Sequence, residues 1–235
     1  FDPTANRYRN DLVELALGHD LDLPRVAAPS EVIGHTPSGI AIAPGTGDNM
    51  AGGLGLGVTA GAAVISVGTS GTAFTKSHQQ THAPTGTVAG FADATGEFLP
   101  LVCTLNGARN LVATAELLGV TLDELSQLAL SAEPGSQGVT FVPYLEGERT
   151  PPLPDARGQL VGLTLANMTP ANIARATIEG VLWSLAYGVE VLREQSVVAP
   201  AGTIGGEPAP KGQQLQYTVQ VRGRLGTPEE FGDVI

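Results

Sequence analysis

Residues 45–71, GTGDNMAGGLGLGVTAGAAVISVGTSG, constrain this chain more than any other stretch. Glycine recurs too often here for a long helix, so the backbone must turn tightly and repeatedly. A first turn carries one carboxylate, Asp48. The short glycine-rich segment 50–57 reads as helical, and Ala62-Ala-Val-Ile-Ser-Val67 is an apolar run of strand length. The run ends in a second turn, Gly68-Thr69-Ser70-Gly71, with Thr72 to Thr75 as its hairpin partner. Each turn alone has an ordinary explanation. Asp forms turns by bonding its local backbone, and Gly-Thr-Ser-Gly closes hairpins. Together they are also the two parts that phosphoryl transfer needs: a carboxylate to accept a hydroxyl proton, and a loop of N–H groups and small hydroxyls for phosphate oxygens. Glycine lets phosphate approach the backbone closely. From the residues alone the segment is either two structural turns or the site of phosphoryl transfer to a small hydroxyl compound.

The rest of the chain is compatible with an α/β protein. At 235 residues it makes one large domain or two small ones, and 42% apolar residues are enough for a sizeable core. Charged residues are only 15%, below the usual quarter, with 31 Gly and 17 Pro. The net charge of −11 and the lack of a basic patch argue against nucleic acid or an anionic membrane as partners. No apolar run reaches the length of a transmembrane helix. The single cysteine, Cys103, sits in the apolar run Leu99 to Cys103 and reads as a small buried hydrophobe rather than a nucleophile. One cysteine and no possible internal disulfide fit a reducing cytoplasm. The chain opens on Phe1-Asp2-Pro3, without Met or a basic-then-apolar leader, as a segment of a longer protein would.

Local signals place the elements. A helix is expected over 6–17, with Leu12, Leu15 and Ala16 on one face and a stop at Gly18. A strand over 39–43 leads into the Asp48 turn. Two further strands lie in 87–102 around Asp93-Ala-Thr-Gly96. A helix over 106–118 ends at Gly119, and the capping box Thr121 to Glu124 starts another, to about Ala132. Residues 139–143 read as a strand. Thr169-Pro170, an N-cap followed by Pro at N1, opens the clearest helix. Its apolar face carries Ile178, Val181, Leu182, Leu185, Val189 and Leu192, with Trp183 beside it as core or interface. Helices 106–118, 121–132 and 170–195 are expected to pack on a mixed sheet. After Val198 the chain turns Pro-rich and then alternates polar and apolar over Leu215 to Val221, as an edge strand or a loose tail does.

Several segments resemble a known family. They are Pro44-Gly-Thr-Gly-Asp-Asn49, Ser66-Val-Gly-Thr-Ser-Gly71, Leu101-Val-Cys-Thr-Leu-Asn106, Phe141 to Pro151 (FVPYLEGERTP), and Gly158-Gln-Leu-Val-Gly-Leu163 followed by Asn172 to Glu179 (NIARATIE). In this order they resemble the FGGY carbohydrate kinases, and among those the xylulose kinases, over residues 1 to about 198. The resemblance implies an actin-like, ribonuclease-H-type fold of two α/β domains. Residues 1–35 would end the first domain, 36–198 would be most of the second, and 199–235 would be an atypical tail. It implies that Asp48 is the catalytic base and that Asp48 and Asn49 touch the sugar. Gly68, Thr69, Ser70 and Gly71 would hold ATP phosphates, with Gly107, more loosely, near the nucleotide.

ATP with Mg²⁺ and D-xylulose are the implied substrates and cofactor, and D-xylulose 5-phosphate the product. The family's first domain and its Gly-Gly-Gly adenosine turn have no counterpart here. Residues 201–233 instead resemble a porter segment of resistance-nodulation-division efflux pumps. Three readings follow: a kinase of the xylulose type in the complete parent protein, with this chain alone expected to be inactive; a non-catalytic half-kinase that binds a partner or nucleotide weakly; or a chimera with a transporter piece. With one wall of a cleft missing, self-association through an apolar cleft face is expected.

Other polar clusters have plainer explanations. His78-Gln-Gln-Thr-His82 has i, i+4 spacing, but with His19 and His35 it reads as solvent-exposed, and no metal site is expected. Glu146-Gly-Glu148-Arg149 reads as an ion pair holding a loop.

Overall fold

A computed structural model of the chain describes residues 1–81, 83–195 and the backbone of 219–220. Its centre is a five-stranded sheet. β3 (Ala63–Val67) and β4 (Gly71–Thr75) form the hairpin around residues 68–70, and β5 (Ala89–Ala92) and β6 (Phe98–Thr104) form the next. The order is β5-β6-β4-β3-β9, antiparallel except that β9 (Val219–Gln220) lies parallel to β3, opposite Ile65 and Ser66. That short strand is at the sheet edge among the described residues. The other residues of 196–235, and so most of the expected tail, lie outside the described residues.

Strand alternation sends side chains to two layers. Ala73 and Val102 pack with Val189, Val191 and Leu192 of the long helix α5 (Pro170–Glu194). On the opposite face Val64, Phe74, Leu99 and Leu101 pack with Met50 of α2 (Asp48–Gly55) and with Val58. The sheet is thus sandwiched between α5 and the helix that begins at Asp48.

Local chemistry explains α5. Thr169 Oγ1 accepts from Asn172 N at 3.2 Å, and Pro170 occupies the first turn, where no N–H is needed. Leu185 and Leu192 are fully buried, and Val181 and Val189 nearly so. Trp183 is not core: it is 53% exposed and lines an open groove with Phe141, Tyr144 and Tyr187. The helix α3 (Ala108–Leu118) stops at Gly119, whose φ of 68° suits a residue without Cβ. The capping box at Thr121 forms, with Thr121 N donating to Glu124 Oε2 at 2.8 Å and Glu124 N to Thr121 Oγ1 at 3.2 Å. The helix it starts, α4 (Leu122–Ser131), packs chiefly on α5 and α3 through Leu125, Ala129, Ala115 and Ala174, rather than on the sheet.

Two segments differ from expectation. The strand expected over 39–43 is only β2 (Ala41–Ile42), because its antiparallel partner β1 is just Gly34–His35. The strand β8 (Gln159–Val161), not expected from its three residues, pairs with β7 (Thr140–Val142). The first helix, α1 (Asn10–Leu17), ends at Gly18 as expected but buries no residue, and Leu15 on its apolar face is 81% exposed. No helix of the described residues is long and apolar enough to cross a membrane.

Candidate active site

The second glycine turn becomes the 68–71 loop, and it is built from a distance. Gly68 N donates to Ser70 O at 3.0 Å, which folds the loop on itself. Gly71 N donates to Thr104 Oγ1 at 3.1 Å, and Ala108 N donates to Gly68 O at 2.7 Å. The start of α3 is therefore tied to the loop. Gly107 is the N-cap of α3, and a Cβ there would stand 2.6 Å from Gly68 O and 2.8 Å from Ser70 C. Only glycine allows that approach. Gly71 is pinned from the other side, where a Cβ would meet Leu185 Cδ2 at 2.5 Å. The amides and hydroxyls of Thr69 and Ser70, both exposed, have no partner among the described residues. Free N–H groups in a glycine turn beside a helix N-terminus form a surface suited to phosphate oxygens.

Asp48 is the first residue of α2, where a carboxylate complements the helix dipole. It is exposed, and its Oδ1 accepts from Asn49 N at 2.8 Å and Asn49 Nδ2 at 3.2 Å. Its Oδ2 has no partner among the described residues and is exposed. Asn49 Oδ1 in turn accepts from Thr72 Oγ1 at 3.0 Å. Thr72 follows Gly71 directly, so the carboxylate turn and the loop are linked through two side chains. All the residues singled out from sequence, Asp48, Asn49, Gly68 to Gly71 and Gly107, thus belong to one connected region.

Sequence reasoning gave no role to Thr72, Thr104 or Asn106, although Thr104 and Asn106 lie in the resembling segment Leu101 to Asn106. It also misread one cluster. Glu146 pairs with Arg109, exposed on the surface, while Glu148 is 1% exposed and takes no Arg partner among the described residues. Its oxygens accept instead from Leu105 N at 2.7 Å, Arg149 N at 2.7 Å, Asn106 Nδ2 at 2.9 Å and Thr150 N at 3.4 Å. The cluster does hold a loop, through the Glu146–Arg109 ion pair on the surface and, at Glu148, through N–H groups. Only the Phe-Val-Pro-Tyr-Leu-Glu-Gly-Glu-Arg-Thr-Pro segment itself marked this place.

Among the described residues no group of three or more His, Cys, Asp or Glu side chains could hold a metal ion. His78 Nδ1 lies 2.7 Å from Glu97 Oε1, and His82 lies outside the described residues. Burial pushes the half-buried Cys103 thiol up, only partly countered by Arg149, as suits a packing residue.

The family model described as "FGGY family of carbohydrate kinases, C-terminal domain" matches residues 63–212. The chain belongs to the FGGY carbohydrate kinases. A xylulose kinase of Streptomyces rubiginosus is 41% identical over 221 residues, covering 88% of this chain and 44% of that protein. The crystal structure of xylulose kinase from Bifidobacterium adolescentis superposes with a TM-score of 0.72 at 40% identity, over 86% of this chain and 44% of that one. A ligand-bound xylulose kinase from Lactobacillus acidophilus follows, with a TM-score of 0.70 at 26% identity, over 79% and 41%. The FGGY chain described here therefore has the actin-like α/β fold of these kinases and spans less than half the length of the curated relatives it matches. The efflux-pump likeness of residues 201–233 has no support in these matches. The family match extends to residue 212, past the boundary at 198 drawn from the sequence.

Proposed function

We propose that this protein phosphorylates a sugar hydroxyl with ATP, and that the sugar is D-xylulose, giving D-xylulose 5-phosphate and ADP. The observation that carries the proposal is the open Asp48 carboxylate, coupled through Asn49 and Thr72 to a loop with free N–H and hydroxyl groups. The identity of the relatives supports the choice of sugar.

In the proposed step Asp48 takes the proton of the sugar hydroxyl as that oxygen bonds to the γ-phosphorus. The bond from that phosphorus to the β,γ-bridging oxygen breaks, and ADP leaves. Gly68, Thr69, Ser70 and Gly71 hold the β- and γ-phosphates through the loop's N–H groups and hydroxyls, and Gly107 keeps the loop against α3. Asn49 orients the Asp48 carboxylate and contacts the sugar. General-base help of this kind is worth about 10²–10⁴-fold. Mg²⁺ would come with the ATP and offset charge on its phosphates, and no step is routed through it. A cytoplasmic location goes with this reading.

The test is a coupled ADP-release assay with ATP, Mg²⁺ and D-xylulose, run on the wild type and on Asp48→Asn. Asn is nearly isosteric but cannot take the proton. Among the described residues the Asp48 side chain bonds only to its neighbour Asn49, so the variant should stay folded and keep its sugar affinity. Its turnover should fall by about a hundredfold or more. Retention of a tenth of wild-type turnover would sink the general-base role, and a sugar other than xylulose turned over faster would sink the substrate.

A second reading is favoured by the chain's short span relative to its relatives: that it binds nucleotide weakly and does not turn over alone. Misplaced reactants can cost on the order of 10²-fold. Nucleotide binding without ADP release in the same assay would support this reading.

A further inference from the structure

Glu148 is the buried acid that the proposed step does not use. It sits in the loop after β7, yet two of its four donors, Leu105 N and Asn106 Nδ2, come from the segment between β6 and α3. That segment carries Gly107. Asn106 Nδ2 also donates to Gly147 O at 2.6 Å, and Thr150 Oγ1 donates to Cys103 O at 3.0 Å. The loop of residues 147–150 therefore grips residues 103–106 at four points on one side. On the other side, Gly107 presses against the backbone of Gly68, Ser70 and Gly71.

We infer that Glu148 is a positioning residue for the phosphate loop, resting on the kinase reading above. A carboxylate only accepts, and this one gathers donors from two segments about forty residues apart, beside the Asn106–Gly147 and Thr150–Cys103 links. With residues 105–106 held, Gly107 has one place to stand. Because it abuts the 68–71 backbone with no side chain between, that place fixes where the free Thr69 and Ser70 donors point. A helix N-terminus at a phosphate site must be placed to a fraction of an ångström. Glu148 provides that placement without touching nucleotide or sugar.

Glu148→Gln separates this role from packing. The side chain keeps its shape and one accepting oxygen, but places an NH₂ group against Asn106 Nδ2, donor against donor. The full chain, wild type and variant, is labelled with ¹⁵N-glycine, and the amide shifts of Gly68, Gly71 and Gly107 are followed during titration with MgADP. The expected result is a folded variant in which all three amides move before any ligand is added. MgADP affinity should fall, by up to about a hundredfold if the loop is displaced by about an ångström. Xylulose affinity should be unchanged. If Glu148→Gln does not fold, Asn106→Ser, which removes the Nδ2 bonds to Glu148 and Gly147 and leaves the Leu105 N bond, is read in the same way. A shift at Gly147 with Gly68, Gly71 and Gly107 unmoved would overturn the inference. Failure of MgADP to move any wild-type amide would count against the kinase reading, while the ligand-free shifts would still decide this one.

Discussion

Gly107→Ala tests the construction of the site most directly. An added Cβ would stand 2.6 Å from Gly68 O, 2.8 Å from Ser70 C and 3.0 Å from Gly71 N. All three are backbone atoms, so no side chain can swing aside. Ordinary contact begins near 3.4 Å, and the loop or the start of α3 must therefore retreat by about 0.8 Å. The retreat strains two anchors at once: the 2.7 Å bond from Ala108 N to Gly68 O and the 3.1 Å bond from Gly71 N to Thr104 Oγ1. Overpacking of this size costs about 1–3 kcal/mol. The displaced loop should also bind phosphate more weakly, since an ångström of misplacement is worth about a hundredfold at a reacting centre. Urea denaturation should show a lower midpoint with an unchanged slope, and isothermal titration a weaker MgADP complex. An unchanged midpoint together with an unchanged MgADP affinity would refute the claim that Gly107 and the loop constrain each other.

Other substitutions probe separate links. Gly52→Ala lies in α2, with nothing within 4 Å of the added Cβ, so it should raise stability by up to about 1 kcal/mol through helix propensity, read as a higher urea midpoint. Cys103, raised by burial, has less thiolate at neutral pH than a free cysteine. Its alkylation at pH 7.5 should be slow in the native chain and fast in urea, and a native rate equal to that of a free thiol would contradict its role in packing. Leu12, Leu15 and Leu17 of α1, and Leu54 and Leu56 near the Asp48 helix, stay exposed. Light scattering should therefore show self-association that grows with concentration, and a monodisperse monomer at all concentrations would remove that expectation.

Much of this protein follows from chemistry within a few residues. Gly18 and Gly119 end helices because they adopt positive φ, and Thr121 and Thr169 start them because their hydroxyls meet the orphan N–H groups. The hairpin around residues 68–70 and the face of α5 were legible for the same reason: turn type and apolar period are local properties. Asp48 and Gly68 to Gly71 stood out in the sequence because the proposed phosphate chemistry calls for those residue types wherever they lie, while Gly107 was marked only by the resemblance. What joins them is set by tertiary structure. Nothing near Asn49 announces Thr72, 23 residues on, and nothing near Glu148 announces Leu105, 43 residues back. A buried carboxylate bonds whatever donors packing brings to it, and Glu148 found three main-chain N–H groups and the Asn106 amide where the sequence offered an adjacent arginine. Trp183 was exposed for a related reason. Helical period tells which residues share a face, but which faces are covered depends on where the sheet and α4 come to rest.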